Sequence, residues 1–363
     1  MTRQNKPLPA TMSAVLLTGH GGFDKLVYET DVPVPSPAPD EVLIRVRAAG
    51  INNTDINTRI GWYAPDAKGS TDAAVEIGGV ADKGDWTGGG LQFPRIQGAD
   101  LCGEIVAVGK GVSAARLGER VIVQSCLRSL TKGSMTPWLG SERDGAFAQF
   151  TTAPAADTYA VRTDLDDAAL AALPCAYATA ENLLTRAGVV AGDTVLVTGA
   201  SGNVGLAAVQ LARLRGARVI AQAARDKAEA LTALGAERCI TREADLVATL
   251  GTASLDVVID VVGGPQWPSL LDVLRVGGRY AVSGAIAGPM VPLDLRKLYL
   301  KDLTFFGCTT QSANVFPALV GYAESGALRP LVAKTYPLAK IAEAQTAFLS
   351  KRDIGKIILL PPP

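Results

Sequence analysis

The stretch Leu196–Gln210 reads LVTGASGNVGLAAVQ. An apolar run breaks on glycines and then resumes with small apolar residues. Gly199, Gly202 and Gly205 fall as GxxGxxG, straight after the apolar run DTVLV and straight before a helical pattern over Val204–Arg215. Glycines at this spacing permit a tight turn and let the backbone approach a pyrophosphate. The helix that follows offers free N–H groups and the positive end of its dipole. A plain strand-to-helix turn shares the spacing, but the strand–turn–helix–strand context, closed by RGARVIA, favours a dinucleotide. Binders of NAD usually carry an acid at the end of the second strand, bonded to the ribose 2′-hydroxyl. That place is Ala223 here, and Arg225 and Lys227 follow. A missing carboxylate beside two cations favours a 2′-phosphate, hence NADP(H). The alternative is that Arg225 and Lys227 belong to the solvated first turn of the next helix.

The surrounding pattern agrees with such a turn. From about Thr163 onward, near-continuous apolar runs (DTVLVTG, ARVIAQA, LDVVIDVVG, RYAVSGA, LTFFGCT) alternate with helical segments. This predicts a parallel sheet covered by helices on both faces. Before it, short β-branched runs separated by Pro, Gly and Asp predict a small β-barrel-like domain. After about Gln311 come two helical segments and a terminal strand, GKIILLP. The first eleven residues read as a loose tail. Ala64–Leu91 is rich in Gly, Asp and Ala without clear periodicity, and a loop of that length is either functional or disordered.

Composition removes several functions. With 363 residues the chain is long enough for two domains. Its formal net charge is zero, so nothing pulls it in bulk toward nucleic acid or a membrane. No apolar segment reaches membrane-spanning length and no secretory leader is readable, so the expected address is the cytoplasm. The five cysteines are scattered, without a CxxC pair, and suggest neither a disulfide framework nor a structural zinc cluster. His20 is the only histidine, which nearly removes histidine-based metal sites and triads.

Motifs in order along nearly the whole chain resemble the medium-chain dehydrogenase/reductase family, in its zinc-free quinone oxidoreductase branch. They include GINNTDINTRIGWY, GADLCGEIVAVGKGV, DGAFAQF, LPCAYATAENLL, VTGASGNVGLAAVQLA, GGRYAVSGA and GKIILLPP. The resemblance implies an α/β fold: a GroES-like β-barrel catalytic domain from residues 12–160 and 311–363, and a doubly wound parallel-sheet (Rossmann) domain from 161–310. Residues 1–11 are the tail. It also implies a homodimer or homotetramer.

The resemblance carries a test for zinc. Where zinc-dependent members place their ligands, this chain has Asn52, then Gly98-Ala99-Asp100 for the GHE motif, then Cys175. One thiol cannot supply the three protein ligands that catalytic zinc needs. No metal is therefore expected, and Cys175 reads as a small buried residue beside the cofactor.

Hydride from NADPH would then go to an acceptor that needs no Lewis acid, a quinone or an α,β-unsaturated carbonyl. Hydrogen-bond donors aimed at its oxygen would lower the barrier. The resemblance puts Asn52 near the nicotinamide and makes Asn52 and Tyr63 the catalytic candidates. The cofactor candidates are Asn52, Thr179, Gly199, Ser201, Gly202, Asn203, Val204, Gly205, Arg225, Lys227 and Gly284. Asp55 and Arg59, four apart, read as a structural pair across a helix turn. Asn57 stands where the family often has a second aromatic residue, and the insertion Ala64–Leu91 follows Tyr63 at once, either as a cap on the pocket with Trp86 as an apolar wall or at a subunit interface. Two other functions remain open: a zinc-type alcohol dehydrogenase and a non-catalytic NADPH-binding module.

Overall fold

The computed structural model describes residues 7–79, 91–133 and 135–363. The N-terminal part contributes β1 (Thr11–Leu17), β2 (Leu26–Pro33), β3 (Glu41–Gly50), α1 (Asn53–Arg59), α2 (Thr71–Glu76), β4 (Arg95–Ile96), β5 (Cys102–Val108), β6 (Arg120–Val123), β7 (Phe150–Pro154) and β8 (Thr158–Ala160). Helices α3 (Asp167–Leu170) and α4 (Pro174–Arg186) then lead to β9 (Thr194–Val197). After β9 the chain alternates: α5 (Asn203–Leu214), β10 (Arg218–Ala223), α6 (Ala228–Ala233), β11 (Arg238–Thr241), α7 (Leu246–Leu250), β12 (Leu255–Asp260), α8 (Trp267–Val273), β13 (Leu274–Val282), α9 (Leu295–Leu300) and β14 (Thr304–Gly307). It closes with α10 (Val315–Glu324), β15 (Val332–Pro337), α11 (Ile341–Leu349) and β16 (Lys356–Leu360).

Strands β9 to β14 form one parallel sheet in the order β11-β10-β9-β12-β13-β14. The order reverses between β9 and β12. In open α/β sheets ligands bind beyond the carboxyl ends of the strands at such a reversal, and the glycine turn follows β9 directly. Val195, Leu196 and Val197 of β9 are fully buried, as expected of a strand covered on both faces. The buried face of α5 includes Gly205, Ala207, Ala208 and Ala212, small residues that let the helix lie close to the sheet.

The chain's end rejoins its beginning. Strand β16 pairs antiparallel with β3, Ile358 opposite Gly50, and parallel with β15. The resulting sheet runs β15-β16-β3-β5-β6-β8, with β7 also on β3. This pairing sets Lys356 beside the segment that leaves β3, although they lie some three hundred positions apart. The fold is therefore mixed α/β, a GroES-like β part with a parallel-sheet Rossmann part.

Several local readings need correction. The helical stretch after Thr163 is two helices, because Pro174 opens α4 at its first turn, a position where its missing N–H costs nothing. Strand β15 was not anticipated. The insertion is not featureless: Ser70 caps α2 by accepting the Ala73 N–H at 3.1 Å, and Ala74 packs on Ile56 and Ile60. Strand β1 begins at Thr11, one residue inside the expected tail. Trp86 lies outside the described residues. Among the described residues no helix is long and apolar enough to cross a membrane.

Candidate active site

A cavity of about 1160 Å³ opens at the end of β9 and runs between the glycine turn and α1. Gly199, Ser201, Gly202, Asn203, Val204 and Gly205 line one wall. Two of the glycines are required there. Gly199 has φ +56°, and a Cβ on Gly205 would stand 2.3 Å from the Gly199 carbonyl oxygen. No side chain caps the N-terminus of α5, so its first N–H groups face the cavity without an internal partner. The Asn203 amide instead donates to the Ile51 carbonyl at 3.2 Å, tying the turn to the residue before Asn52.

Thr179 and Gly284 also line the cavity, while Arg225 and Lys227 do not. Arg225 is exposed just after β10. The Lys227 ammonium donates to the Arg352 carbonyl and pairs with Asp226. Arg242, beside Gln222 and Gln266, and Lys351 are cations that do line the cavity, and sequence reasoning missed both. It also missed the loop Val261–Gly263. That loop is held by Asp260, whose buried carboxylate accepts from the Thr198 hydroxyl at 2.6 Å, the Val262 and Gly263 N–H groups, and the Tyr280 hydroxyl at 2.6 Å.

The opposite end of the cavity rests on a buried polar group. Lys356 is 2% exposed and Asp100 0%, and their Nζ and Oδ2 lie 2.5 Å apart. The Asn52 amide bonds both members of the pair: Oδ1 accepts from Lys356 Nζ at 2.5 Å, and Nδ2 donates to Asp100 Oδ2 at 2.8 Å. The other oxygen of Asp100 accepts the Cys175 N–H at 2.6 Å. Gly50 makes room for the pair, since a Cβ there would meet Lys356 Cε at 2.5 Å and Asp100 Oδ2 at 2.8 Å. Neither Lys356 nor the role of Asp100 was read from the sequence. The available signal was a lysine opening an otherwise apolar terminal strand.

Asp55 completes the floor, and it does not pair with Arg59. Its carboxylate accepts the Asn52 N–H at 2.8 Å and the Gly98 N–H at 3.3 Å. Burial pushes its pKa up to about 7, the Asp100 charge adds to the rise, and the two N–H donors and Lys356 oppose it. Arg59 turns away, donating to Gln345 Oε1 at 3.1 Å and the Gly21 carbonyl at 2.6 Å, with its guanidinium over the Phe23 ring. The expected pair across the helix turn is thus replaced by separate partners for each side chain.

Tyr63 lines the cavity between Trp62 and α1. Its hydroxyl has hydrogen-bonding neighbours in Thr54 and in Asn57, whose Nδ2 is 3.5 Å away. Burial holds the phenol well above its ordinary pKa, so it keeps its proton at neutral pH. Cys175 also lines the cavity, and burial together with the Asp100 charge keeps its thiol protonated.

Residues 38–163 match the family model of the alcohol dehydrogenase GroES-like domain, and 203–325 that of the zinc-binding dehydrogenase. The chain is 30% identical to a quinone oxidoreductase of Lama guanicoe, over 96% of this chain and 97% of that one. The chain belongs to the medium-chain dehydrogenase/reductase family, on its quinone oxidoreductase-like side. It is 27% identical to the chloroplastic NADPH-dependent alkenal/one oxidoreductase of Arabidopsis thaliana, over 98% of this chain and 81% of that one. A solved structure from Sinorhizobium meliloti 1021, named provisionally as an alcohol dehydrogenase, superposes with a TM-score of 0.89 at 47% identity, over 98% of each chain. The chain is thus an oxidoreductase of this family, whose members bind nicotinamide cofactors, and the residues of the glycine turn and the uncapped helix fit such a group.

The zinc in the second family model's description fits these residues poorly. Zinc calls for three thiolate, imidazole or carboxylate donors around an open position. Here Asn52 offers an amide already engaged at both ends, Ala99 has no donor, and the Cys175 thiol is held neutral. An ammonium group stands against the Asp100 carboxylate, and the Asp55 carboxylate is taken up by two backbone N–H groups. Among the described residues no three His, Cys, Asp or Glu side chains are grouped to hold a metal ion.

Proposed function

We propose that the chain reduces quinones or α,β-unsaturated carbonyl compounds with NADPH and without a metal ion. The observation that carries this reading is the floor of the cavity, where an amide–ammonium–carboxylate group stands in place of a donor set for zinc. The names of the relatives, a quinone oxidoreductase and an NADPH-dependent alkenal/one oxidoreductase, point the same way.

Bound NADPH supplies the hydride. The residues Gly199, Ser201, Gly202, Asn203, Val204 and Gly205 would hold its pyrophosphate through backbone N–H groups, and Asn52, Thr179 and Gly284 would border the nicotinamide. Arg242 would meet a 2′-phosphate, with Arg225 exposed outside the cavity lining and Lys227 fixing the Arg352 segment. Negative charge gathers on the acceptor oxygen as hydride arrives, and a donor already aimed there stabilises it. Tyr63 is that donor, because its phenol stays protonated and faces the cavity. Asn52 has both ends of its amide engaged, so it positions the floor rather than giving the hydrogen bond. We further propose a cytoplasmic homodimer or homotetramer. Support for self-association comes from α9, where Leu295, Tyr299 and Leu300 are all more than 60% exposed.

The test is an acceptor screen that follows NADPH absorbance after dialysis against a chelator. The expected result is oxidation of NADPH by at least one quinone or enone, unaffected by the chelator, with NADH roughly tenfold poorer, a modest discrimination for one phosphate. Activity that vanishes on dialysis and returns with zinc would mean an alcohol dehydrogenase. Tight NADPH binding with no acceptor reduced would mean a binding module.

A further inference from the structure

The insertion after Tyr63 meets the catalytic side of the cavity through a buried hydrogen bond. Thr71, the first residue of α2, is 3% exposed, and its hydroxyl donates to Asn57 Oδ1 at 3.1 Å. Asn57, 5% exposed on α1, then directs its Nδ2 at the Tyr63 hydroxyl, 3.5 Å away. The amide is thereby oriented: its oxygen is spent on Thr71, so only its N–H₂ end can face Tyr63. A hydroxyl that accepts from Asn57 directs its own proton elsewhere, with Thr54 as its other hydrogen-bonding neighbour.

Thr71 also reaches the other half of the molecule. Its N–H donates to the Ile286 carbonyl at 3.0 Å, in the loop that lines the nucleotide side of the cavity. Asp72, the next residue, pairs with Lys351 at 2.6 Å, on the segment between α11 and β16. Trp62, beside Tyr63, donates through Nε1 to the Gly69 carbonyl at 3.0 Å, just ahead of α2. The start of α2 is therefore fixed to α1, to the nucleotide part and to the C-terminal segment, with Ser70, Thr71 and Asp72 themselves on the cavity wall.

We propose that Thr71 is a positioning residue for the reaction: through Asn57 it sets the direction of the Tyr63 hydroxyl, and through its own N–H it holds that assembly in register with the nucleotide side. This rests on Tyr63 acting as the donor to the acceptor oxygen. Asn57 and the insertion are then two halves of one device. An apolar or aromatic side chain at position 57 would give the Thr71 hydroxyl nothing to bond.

Thr71→Val tests it, because valine keeps the shape and the backbone N–H and removes only the hydroxyl. One net hydrogen bond between neutral groups corresponds to roughly a fivefold to tenfold change. Thr71→Val is accordingly expected to lower kcat/KM by about that factor while leaving the Kd for NADPH within about twofold. Thr71→Ser should restore the rate. In a Tyr63→Phe background the valine substitution should cost nothing further, since the group it positions is gone. An activity-independent readout accompanies these: with tyrosine ¹³C-labelled at Cζ, the Tyr63 resonance, assigned by its loss in Tyr63→Phe, should move in Thr71→Val and return in Thr71→Ser. Thr71→Ala replaces the valine variant if that one does not fold. An unmoved resonance, or an equal rate loss in the Tyr63→Phe background, overturns the proposal. If the wild-type protein reduces no acceptor, the functional reading falls, and the resonance alone decides whether Thr71 positions Tyr63.

Discussion

The nucleotide wall of the cavity is contiguous backbone, Gly199 to Gly205, whereas the floor is Asn52 and Cys175 backed by buried groups at positions 55, 100 and 356. The wall works by what it lacks: side chains on its glycines and a cap on α5. The floor works by charge balance, with one ammonium shared between an amide and a carboxylate out of contact with water. A wall of this kind tolerates changes of charge nearby but not of volume. A floor of this kind tolerates neither the loss of one charge nor the gain of another.

The sharpest way to break the comparison is to remove the floor's cation. Taking away one partner of a buried ion pair leaves an uncompensated charge and typically costs about 3–5 kcal/mol. Lys356→Met is expected to lose that much in urea unfolding, with Asp100 stranded. Lys356→Met combined with Asp100→Asn should recover part of it, because no charge is left unpaired and Asn can still accept the Cys175 N–H. Equal losses in the single and double variants would mean that packing around Gly50, not charge, sets the effect.

The same contrast explains what the sequence revealed. The glycine turn lies within one short segment, between an apolar strand and an apolar helix, so its geometry is local and legible. Domain-scale alternation of strands and helices is legible for the same reason. The floor depends on β16 pairing with β3, a contact between distant parts of the chain, and no local rule registers Lys356 against Asn52. Asp55 and Arg59 show the limit from another side. Their spacing suits a helical ion pair, yet tertiary partners claim each side chain: Asp55 accepts the Gly98 N–H, and Arg59 donates to the Gly21 carbonyl. Helix α2 was obscured by its composition, although Ser70 followed by a short helical run was the cap signal available.

Asp55 offers the next test, since its carboxyl is pushed up to about 7 chiefly by burial. An unfolded aspartate releases its proton near pH 4. Between about pH 4 and pH 7 the folded chain therefore holds a proton that the unfolded chain has lost, and stability falls as pH rises. Above that window the contribution is flat. Each unit of pKa difference corresponds to about 1.4 kcal/mol, so the total approaches 4 kcal/mol before relaxation reduces it. Unfolding of wild type and Asp55→Asn at a series of pH values isolates this: the wild type should lose ground to the variant as pH rises from 4 to 7. A gap that stays constant across that range removes Asp55 as a titrating member of the floor.

Gly205→Ala probes the wall, and here two effects oppose each other. Alanine gains about 1 kcal/mol over glycine inside a helix, which stabilises the fold. Its Cβ, however, would stand 2.3 Å from the Gly199 oxygen and 2.7 Å from Ala200 Cα, both backbone, so the turn must move. Overpacking of this sort costs roughly 1–3 kcal/mol. The two nearly cancel in global stability, and the thermal midpoint should shift by only a few degrees, a degree of change that about 1 kcal/mol produces in a chain of this size. The displaced turn is the one proposed to hold the pyrophosphate, so NADPH affinity should fall about tenfold, equivalent to about 1.4 kcal/mol. If stability and affinity fall together, the turn is a packing element like any other. If affinity alone falls, the wall is built for the ligand, and the contrast with the floor stands.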